Sequence, residues 1–102
     1  ELRRVVVLDG FITGAAALVA VRRSPAVATN LLAAHQSAER AHGLVLEALG
    51  TRPFFELGMR LGEGSGAVLG AGLVASAVAV QREVRTFAEA NIENPLAEGG
   101  RD

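Results

Sequence analysis

Two short apolar runs constrain this sequence more than any other feature. RVVVL (Arg4–Leu8) and LLAAH (Leu31–His35) are too short for helices, and each is apolar on both faces. Such runs are typical of buried strands in a parallel sheet. Because the residues between them have a helical pattern, the two runs predict a β-α-β unit of the α/β class, with parallel strands and a right-handed crossover.

The remaining segments predict helices joined by turns. Helical patterns occupy AAALVAVRR (15–23), AERAHGLVLEALG (38–50) and a long stretch at 67–90 that Gly70 and Gly72 are expected to weaken or kink. A turn is predicted at 9–14, a short helical piece begins at Ser24-Pro25, and 51–63 is expected to be irregular or partly extended. The order is therefore strand, helix, strand, helix and a long helical region.

A chain of 102 residues forms one domain at most, and two strands cannot make a stable doubly wound sheet. Each strand would keep an open edge that nothing in the sequence covers. We therefore expect further strands to come from residues outside this chain or from a partner. The first residues read as a strand, without an initiator Met or a visible secretory signal, so the sequence looks cut from something longer.

The charged residues and the missing residue types exclude several kinds of site. The net charge is −1, which gives no electrostatic case for binding nucleic acid or an anionic membrane. All ten basic residues are Arg, so the chain has neither a Walker-type nor a Schiff-base lysine. It has no Cys, which excludes a disulfide, a thiolate nucleophile and a Cys-type zinc site and is compatible with the cytoplasm. His35 and His42 are interpreted as structural, because too few ligands converge for a metal site.

The segment RLGEGSGA places Glu63 among glycines just before a long apolar stretch. One interpretation is a local charge that caps the following helix, whose N-terminus attracts anions. The other is a base held beside a bound ligand, with Gly62 and Gly64 allowing close approach of the backbone. Without a lysine, the segment does not match a phosphate-binding P-loop, and its spacing does not match a dinucleotide-binding fingerprint.

Two further candidates follow the predicted strands, at the sheet edge where α/β proteins bind ligands. Ser37 follows the second strand and either holds a phosphate or simply caps the next helix. Asp9-Gly10 follows the first strand, where Asp9 either contacts a ligand or bonds its own backbone in a turn. Arg60 could reach a phosphate or carboxylate, although a solvated position or an ion pair explains it equally simply.

Three blocks together resemble a known enzyme family. DGFITGAAALVA (9–20), AHQSAE (34–39) and LGMRLGEGSGA (57–67) look like the C-terminal part of the nicotinate-nucleotide–dimethylbenzimidazole phosphoribosyltransferases. The blocks have the expected order and spacing, and the likeness covers nearly the whole chain. Thr13-Gly14 and Gly72 depart from the family pattern, which leaves the local helix geometry open. Family members are several times longer, and their N-terminal part carries much of the benzimidazole pocket and another functional glutamate.

The resemblance implies a reaction and a fold. Ribose 5-phosphate would pass from nicotinate mononucleotide to 5,6-dimethylbenzimidazole, giving α-ribazole 5′-phosphate and nicotinate in cobalamin nucleotide-loop assembly. Glu63 would be the catalytic base. Leu61 could line the pocket for the aromatic ring, although a leucine is more often a core residue. The implied protein is a cytoplasmic homodimer with a Rossmann-like parallel sheet and without a metal or organic cofactor. Residues 1–92 would belong to its α/β domain, and 93–102 would form a polar, frayed tail.

Two alternatives belong to other functional classes. Gly64–Gln81 carries no charge and contains a Gly66-x-x-x-Gly70 motif, which would suit a membrane-associated helical module. Its Ala and Gly content and the lack of an aromatic belt favour a helix in a water-soluble core instead. The other alternative is a non-catalytic relic that keeps part of the fold as a dimerisation surface.

Overall fold

The computed structural model describes residues 4–93, and the predicted order of elements is confirmed. The elements are β1 (Val6–Leu8), α1 (Phe11–Arg23), a 3-10 helix (Pro25–Asn30), β2 (Leu31–Ala33), α2 (Arg40–Leu49) and α3 (Ser65–Glu83). Of the predicted tail at 93–102, all but the first residue lies outside the described residues. The domain boundaries stay a prediction.

The two strands form a parallel pair. Val7 lies opposite Leu32, and Leu8 lies opposite Ala33, which is the register expected for a β-α-β unit. The irregular segment before α3 then runs beside the end of β2, where the Phe55 carbonyl accepts the N–H of Gln36 at 2.9 Å. The α/β prediction is therefore confirmed, and the carboxyl ends of both strands point to the same edge.

Helix α1 begins at Phe11, so the predicted turn at 9–14 is wrong beyond its first two residues. The side chain of Thr13 explains the early start. Its hydroxyl accepts the N–H of Asp9 at 3.1 Å and donates to the carbonyl of Gly10 at 3.0 Å. These two local bonds close the first turn immediately after the strand, although Gly10 offers no side-chain cap.

Helix α3 ends at Glu83, so the prediction of helix as far as residue 90 is also wrong. Val84 is extended, and a separate turn follows it. The Glu89 carboxylate accepts the N–H of Thr86 at 2.8 Å, and the Thr86 hydroxyl accepts the N–H of Glu89 at 3.3 Å. This reciprocal pair is a capping box, which starts a new turn rather than continuing the old helix.

Gly70 lies inside a single continuous helix and serves packing. A Cβ atom at Gly70 would lie 2.7 Å from the Cβ of Ala34 and 3.1 Å from Val7 Cγ1. The absent side chain therefore lets α3 cross directly over both strands. Gly66 lies one turn earlier on the same face and contacts the strand ends in the same way. In the described structure the Gly-x-x-x-Gly motif packs a helix on a sheet.

The core of the described residues is small. Leu8, Ala17, Ala33, Ala34 and Leu46 are its buried apolar residues. The prediction that the first strand is buried on both faces is wrong for this chain, since Val6 is 49% exposed. Leu8, which points to the same face of the strand, is 4% exposed, so among the described residues β1 is covered at its carboxyl end and open at its start. The expected origin of further strands outside the chain stays a prediction.

Candidate functional site

A cavity of about 420 Å³ opens at the carboxyl ends of the two strands. It lies at the position where open α/β sheets bind ligands. All seven residues predicted for the site line this cavity: Asp9, Gly10, Ser37, Leu61, Gly62, Glu63 and Gly64. They come from three segments that are far apart in the sequence, and the fold brings them together. Their individual roles in binding stay predictions.

Glu63 lies at the rim of the cavity in an unusual backbone conformation. The φ angles of Gly62, Glu63 and Gly64 are 79°, 56° and 81°, so three consecutive residues are left-handed. For a residue with a Cβ atom this costs about 1 kcal/mol or more. The Glu63 side chain is exposed, and its carboxylate accepts no hydrogen bond from the residues that the structure describes. A strained backbone thus presents a carboxylate that no group within residues 4–93 contacts by a hydrogen bond.

The capping role at α3 belongs to Asp9 instead. Its Oδ2 accepts the N–H of Gly64 at 3.2 Å, and its Oδ1 accepts the N–H of Ala67 at 3.1 Å. Glu63 therefore makes no capping hydrogen bond among the described residues, and an attraction between its charge and the helix dipole stays a prediction. The expected alternative for Asp9, a bond to its own backbone, is wrong, because the carboxylate reaches across the fold. Asp9 is only 6% exposed, and a direct contact with substrate stays a prediction.

Two histidines, His35 and His42, are buried next to the carboxyl ends of the strands. His35 lines the cavity with its Nε2 atom 3.4 Å from Asp9 Oδ1. The Nδ1 atom of His42 accepts the N–H of Ser37 at 2.9 Å. Burial lowers the pKa of His42, the nearby His35 lowers it further, and Asp9 opposes both effects. Within residues 4–93 no three His, Asp or Glu side chains converge as a metal site would require.

Ser37 forms a turn before α2 rather than capping it. Its hydroxyl oxygen accepts the N–H of Glu39 at 3.2 Å, whereas α2 begins at Arg40 without a side-chain cap. The capping interpretation of Ser37 is therefore wrong. The hydroxyl hydrogen stays available to an acceptor in the cavity, because a serine hydroxyl both donates and accepts.

Apolar side chains flank the free carboxylate. Ile12 is 82% exposed and Leu61 is 76% exposed, and both line the cavity with Phe11. Exposed aliphatic groups beside a carboxylate suit a flat, largely apolar ligand with one polar nitrogen. Sequence reasoning missed Ile12, Phe11 and His35 as lining residues. Their positions directly after the two strands were the signal that could have identified them.

Comparison with known proteins places this geometry in a family. Residues 1–92 match the model of the family DBI_PRT, described as phosphoribosyltransferase. The chain belongs to this phosphoribosyltransferase family. The membership confirms the resemblance carried by the three sequence blocks.

Several relatives are similar in sequence to this chain over most of its length. Nicotinate-nucleotide–dimethylbenzimidazole phosphoribosyltransferase of Roseiflexus sp. (strain RS-1) is 55% identical over 95 residues, which are 92% of this chain and 27% of the relative. The enzyme of the same name from Ralstonia nicotianae is 54% identical over 90 residues, covering 88% of this chain and 25% of the relative. This chain spans about a quarter of the length of the curated relatives it matches.

A solved structure carries the same fold. The crystal structure of nicotinate-nucleotide–dimethylbenzimidazole phosphoribosyltransferase from Thermus thermophilus matches with a TM-score of 0.81 and 43% sequence identity. The match covers 86% of this chain and 26% of that structure. The small parallel sheet with its helices is therefore a segment of this phosphoribosyltransferase fold.

Proposed function

We propose that this chain supplies one wall of an active site that transfers ribose 5-phosphate from nicotinate mononucleotide to 5,6-dimethylbenzimidazole. The products would be α-ribazole 5′-phosphate and nicotinate. The observation that carries the proposal is the free carboxylate of Glu63, held at the rim of the strand-end cavity between apolar side chains. The names of the relatives support the choice of substrates.

The chemistry needs a proton acceptor at one ring nitrogen. One benzimidazole nitrogen attacks C1′ of the ribose as the bond from C1′ to the nicotinate nitrogen breaks, and nicotinate leaves with the electron pair. The benzimidazole ring becomes cationic, so the hydrogen on its other nitrogen becomes far more acidic. The Glu63 carboxylate accepts that proton and attracts the positive charge while it forms. A carboxylate that has no hydrogen-bond partner in the described part of the chain is suited to this role.

The nucleotide phosphate would bind deeper in the cavity. The first turn of α1 contains no acidic residue and Gly10 gives no side-chain cap, so backbone N–H groups there have no competing anion. Ser37 lines the same cavity with a hydroxyl hydrogen to donate. Ser37→Ala should raise KM for nicotinate mononucleotide about tenfold, which corresponds to one lost bond to a charged group, with kcat changed less than about threefold.

The remaining expectations are part of the same proposal. The enzyme would act in the cytoplasm as a homodimer, with small molecules as its ligands, no nucleic acid or membrane partner and no metal or organic cofactor. Helix α3 is long and apolar enough to cross a membrane, with a mean hydropathy of 1.3. Gly66 and Gly70 pack against the strand ends, whereas two helices that associate in a membrane would contact each other through these same glycines. The packing therefore favours the soluble alternative.

The experiment uses a chimera at the full length of the family. This chain replaces the matching segment of the Roseiflexus enzyme, and formation of α-ribazole 5′-phosphate is measured with both substrates. Glu63→Gln should lower kcat about 1,000-fold, as expected for loss of a general base, while nicotinate mononucleotide still binds. Glu47→Gln is the matched control, because Glu47 is an exposed carboxylate on α2 away from the cavity.

Two results would overturn the proposal. An inactive chimera that folds and binds nucleotide would mean that this chain does not supply a competent wall, as expected for a relic. Normal turnover of the Glu63→Gln chimera would remove the assigned base. Glu47→Gln should leave kcat unchanged in either case.

A further inference from the structure

The carboxylate of Asp9 joins two parts of the fold that are far apart in the sequence. It follows β1, yet it accepts the backbone N–H groups of Gly64 and Ala67, which lie 55 and 58 residues later. Hydrogen bonds from N–H groups to an ionised carboxylate are stronger than neutral ones. The positive end of the α3 dipole adds to the attraction.

This contact fixes the backbone on which Glu63 stands. The Gly64 N–H belongs to the peptide unit that follows Glu63, so Asp9 sets the orientation of that peptide plane. Glu63 has a φ of 56°, a conformation that a residue with a Cβ atom avoids when it is free to relax. The two bonds from Asp9 therefore offset the backbone strain at Glu63.

Close packing prevents the Asp9 carboxylate from moving away. A Cβ atom at Gly66 would collide with the ring of His35 and would lie 2.8 Å from Asp9 Oδ1. His35 is buried, and its Nε2 atom lies 3.4 Å from the same oxygen. The imidazole and the glycine thus pack against the carboxylate, which lies in direct hydrogen-bond contact with the start of α3.

We propose that Asp9 is a positioning residue for the reaction, acting on Glu63 through the backbone of Gly64 and Ala67. Its carboxylate holds the left-handed segment so that the base faces the ring nitrogen. This inference rests on the proposed function. It assigns to Asp9 a role in orienting the base rather than in binding the substrate.

A double-mutant cycle in the Roseiflexus chimera tests the inference. Asp9→Asn replaces one acceptor oxygen with an amino group that faces a backbone donor, at nearly unchanged volume. We expect kcat to fall about 30-fold and KM for nicotinate mononucleotide to change less than about threefold. Glu63→Gln should then cost only about 30-fold in the Asp9→Asn background, instead of about 1,000-fold, because a misplaced base contributes less to kcat.

A second variant removes the contact from the other partner. Ala67→Pro puts a ring carbon in place of one N–H that Asp9 accepts, so it deletes that hydrogen bond and displaces the carboxylate, while the N–H groups of the first helical turn make no intrahelical bond that proline would break. It should lower kcat in the same direction, about fivefold to tenfold, with KM for the nucleotide again nearly constant. This variant decides the question if Asp9→Asn does not fold.

The results separate this inference from the proposed function. If Glu63→Gln costs the same factor with and without Asp9, Asp9 serves stability alone and the inference fails while the base assignment stands. A rise in KM for nicotinate mononucleotide at constant kcat would make Asp9 a substrate contact and would also overturn the inference. An inactive unmodified chimera would instead be a failure of the proposed function.

Discussion

The strand-end edge and the exposed side chains of α3 show opposite relations between polarity and burial. At the edge, polar side chains are buried, including Asp9 and His42. Along α3, aliphatic side chains are exposed, among them Val68 at 73% and Leu73 at 46%. The first region pairs the Asp9 carboxylate and His42 Nδ1 with backbone N–H groups, although three imidazole nitrogens there have no hydrogen bond from the described residues. The second region leaves exposed the apolar surface that normally stabilises a fold.

This difference shows which properties reside in the segment itself. The cavity wall depends on contacts among described residues, since the N–H groups of Gly64 and Ala67 both donate to the Asp9 carboxylate. We expect the stability of the domain to depend on covering the exposed apolar side chains of α3, since the relatives are about four times as long as the aligned segment. Local site geometry and global stability are thus separable here, and the following substitutions test that separation.

The largest effect on the free energy of unfolding is expected at Gly66, where α3 packs against the strand-end edge. Gly66→Ala should destabilise the chimera by about 2–3 kcal/mol, because the new methyl group overlaps the His35 ring behind the site. Gly72→Ala should stabilise it by about 0.5–1 kcal/mol, because Gly72 lies in the same helix with open space around it. Urea unfolding measures both. Equal effects would show that α3 is not packed on the strand ends as described.

An intermediate effect is expected from the exposed side chains of α3. The isolated chain should self-associate through α3, where Leu69 and Leu73 lie one turn apart and about half exposed. Replacing both with Gln should weaken association about tenfold or more, given roughly 1 kcal/mol for each leucine removed. Sedimentation velocity measures the change.

The control for the double substitution on α3 is Leu44→Gln on α2. It should leave association unchanged, although Leu44 is 70% exposed. In the chimera, the double substitution on α3 should instead lower the free energy of unfolding, because a covered face loses its packing. A monomeric isolated chain with a sharp unfolding transition would contradict the contrast between the two regions.

The smallest effect is expected from the buried polar edge. Because the folded state lowers the pKa of His42 below 6.5, the unfolded chain binds the proton more readily. Stability should therefore be full above about pH 6.5 and should fall as the pH drops towards the folded pKa. His42→Asn keeps an acceptor for Ser37 and should flatten this slope, measured as the urea midpoint between about pH 7.5 and about pH 5.5. An unchanged slope would exclude His42 as its source.

The sequence predicts the fold because its signals are local. The short apolar runs identify the strand pair, and their separation by one helix requires a parallel arrangement. The ends of helices were less predictable. Thr13 starts α1 early and Thr86 starts a new turn through side-chain bonds that apolar periodicity does not contain.

For the site, the sequence predicts which residues lie close together but not which role each of them has. Glu63 and Asp9 both fit the description of an acidic residue beside a helix start or a strand end. Only the fold shows that Asp9 bonds to the first turn of α3 and leaves Glu63 without a partner among the described residues. A contact across 55 residues leaves no periodic trace in a single sequence.

The central claim is that the Glu63 carboxylate takes the proton from the ring nitrogen. A crystal structure of the chimera with nicotinate mononucleotide and 5,6-dimethylbenzimidazole tests it most directly. We expect a Glu63 carboxylate oxygen about 2.6–3.2 Å from the ring nitrogen that does not face C1′. A Glu63 side chain turned into bulk solvent, with another group at that nitrogen, would contradict the account.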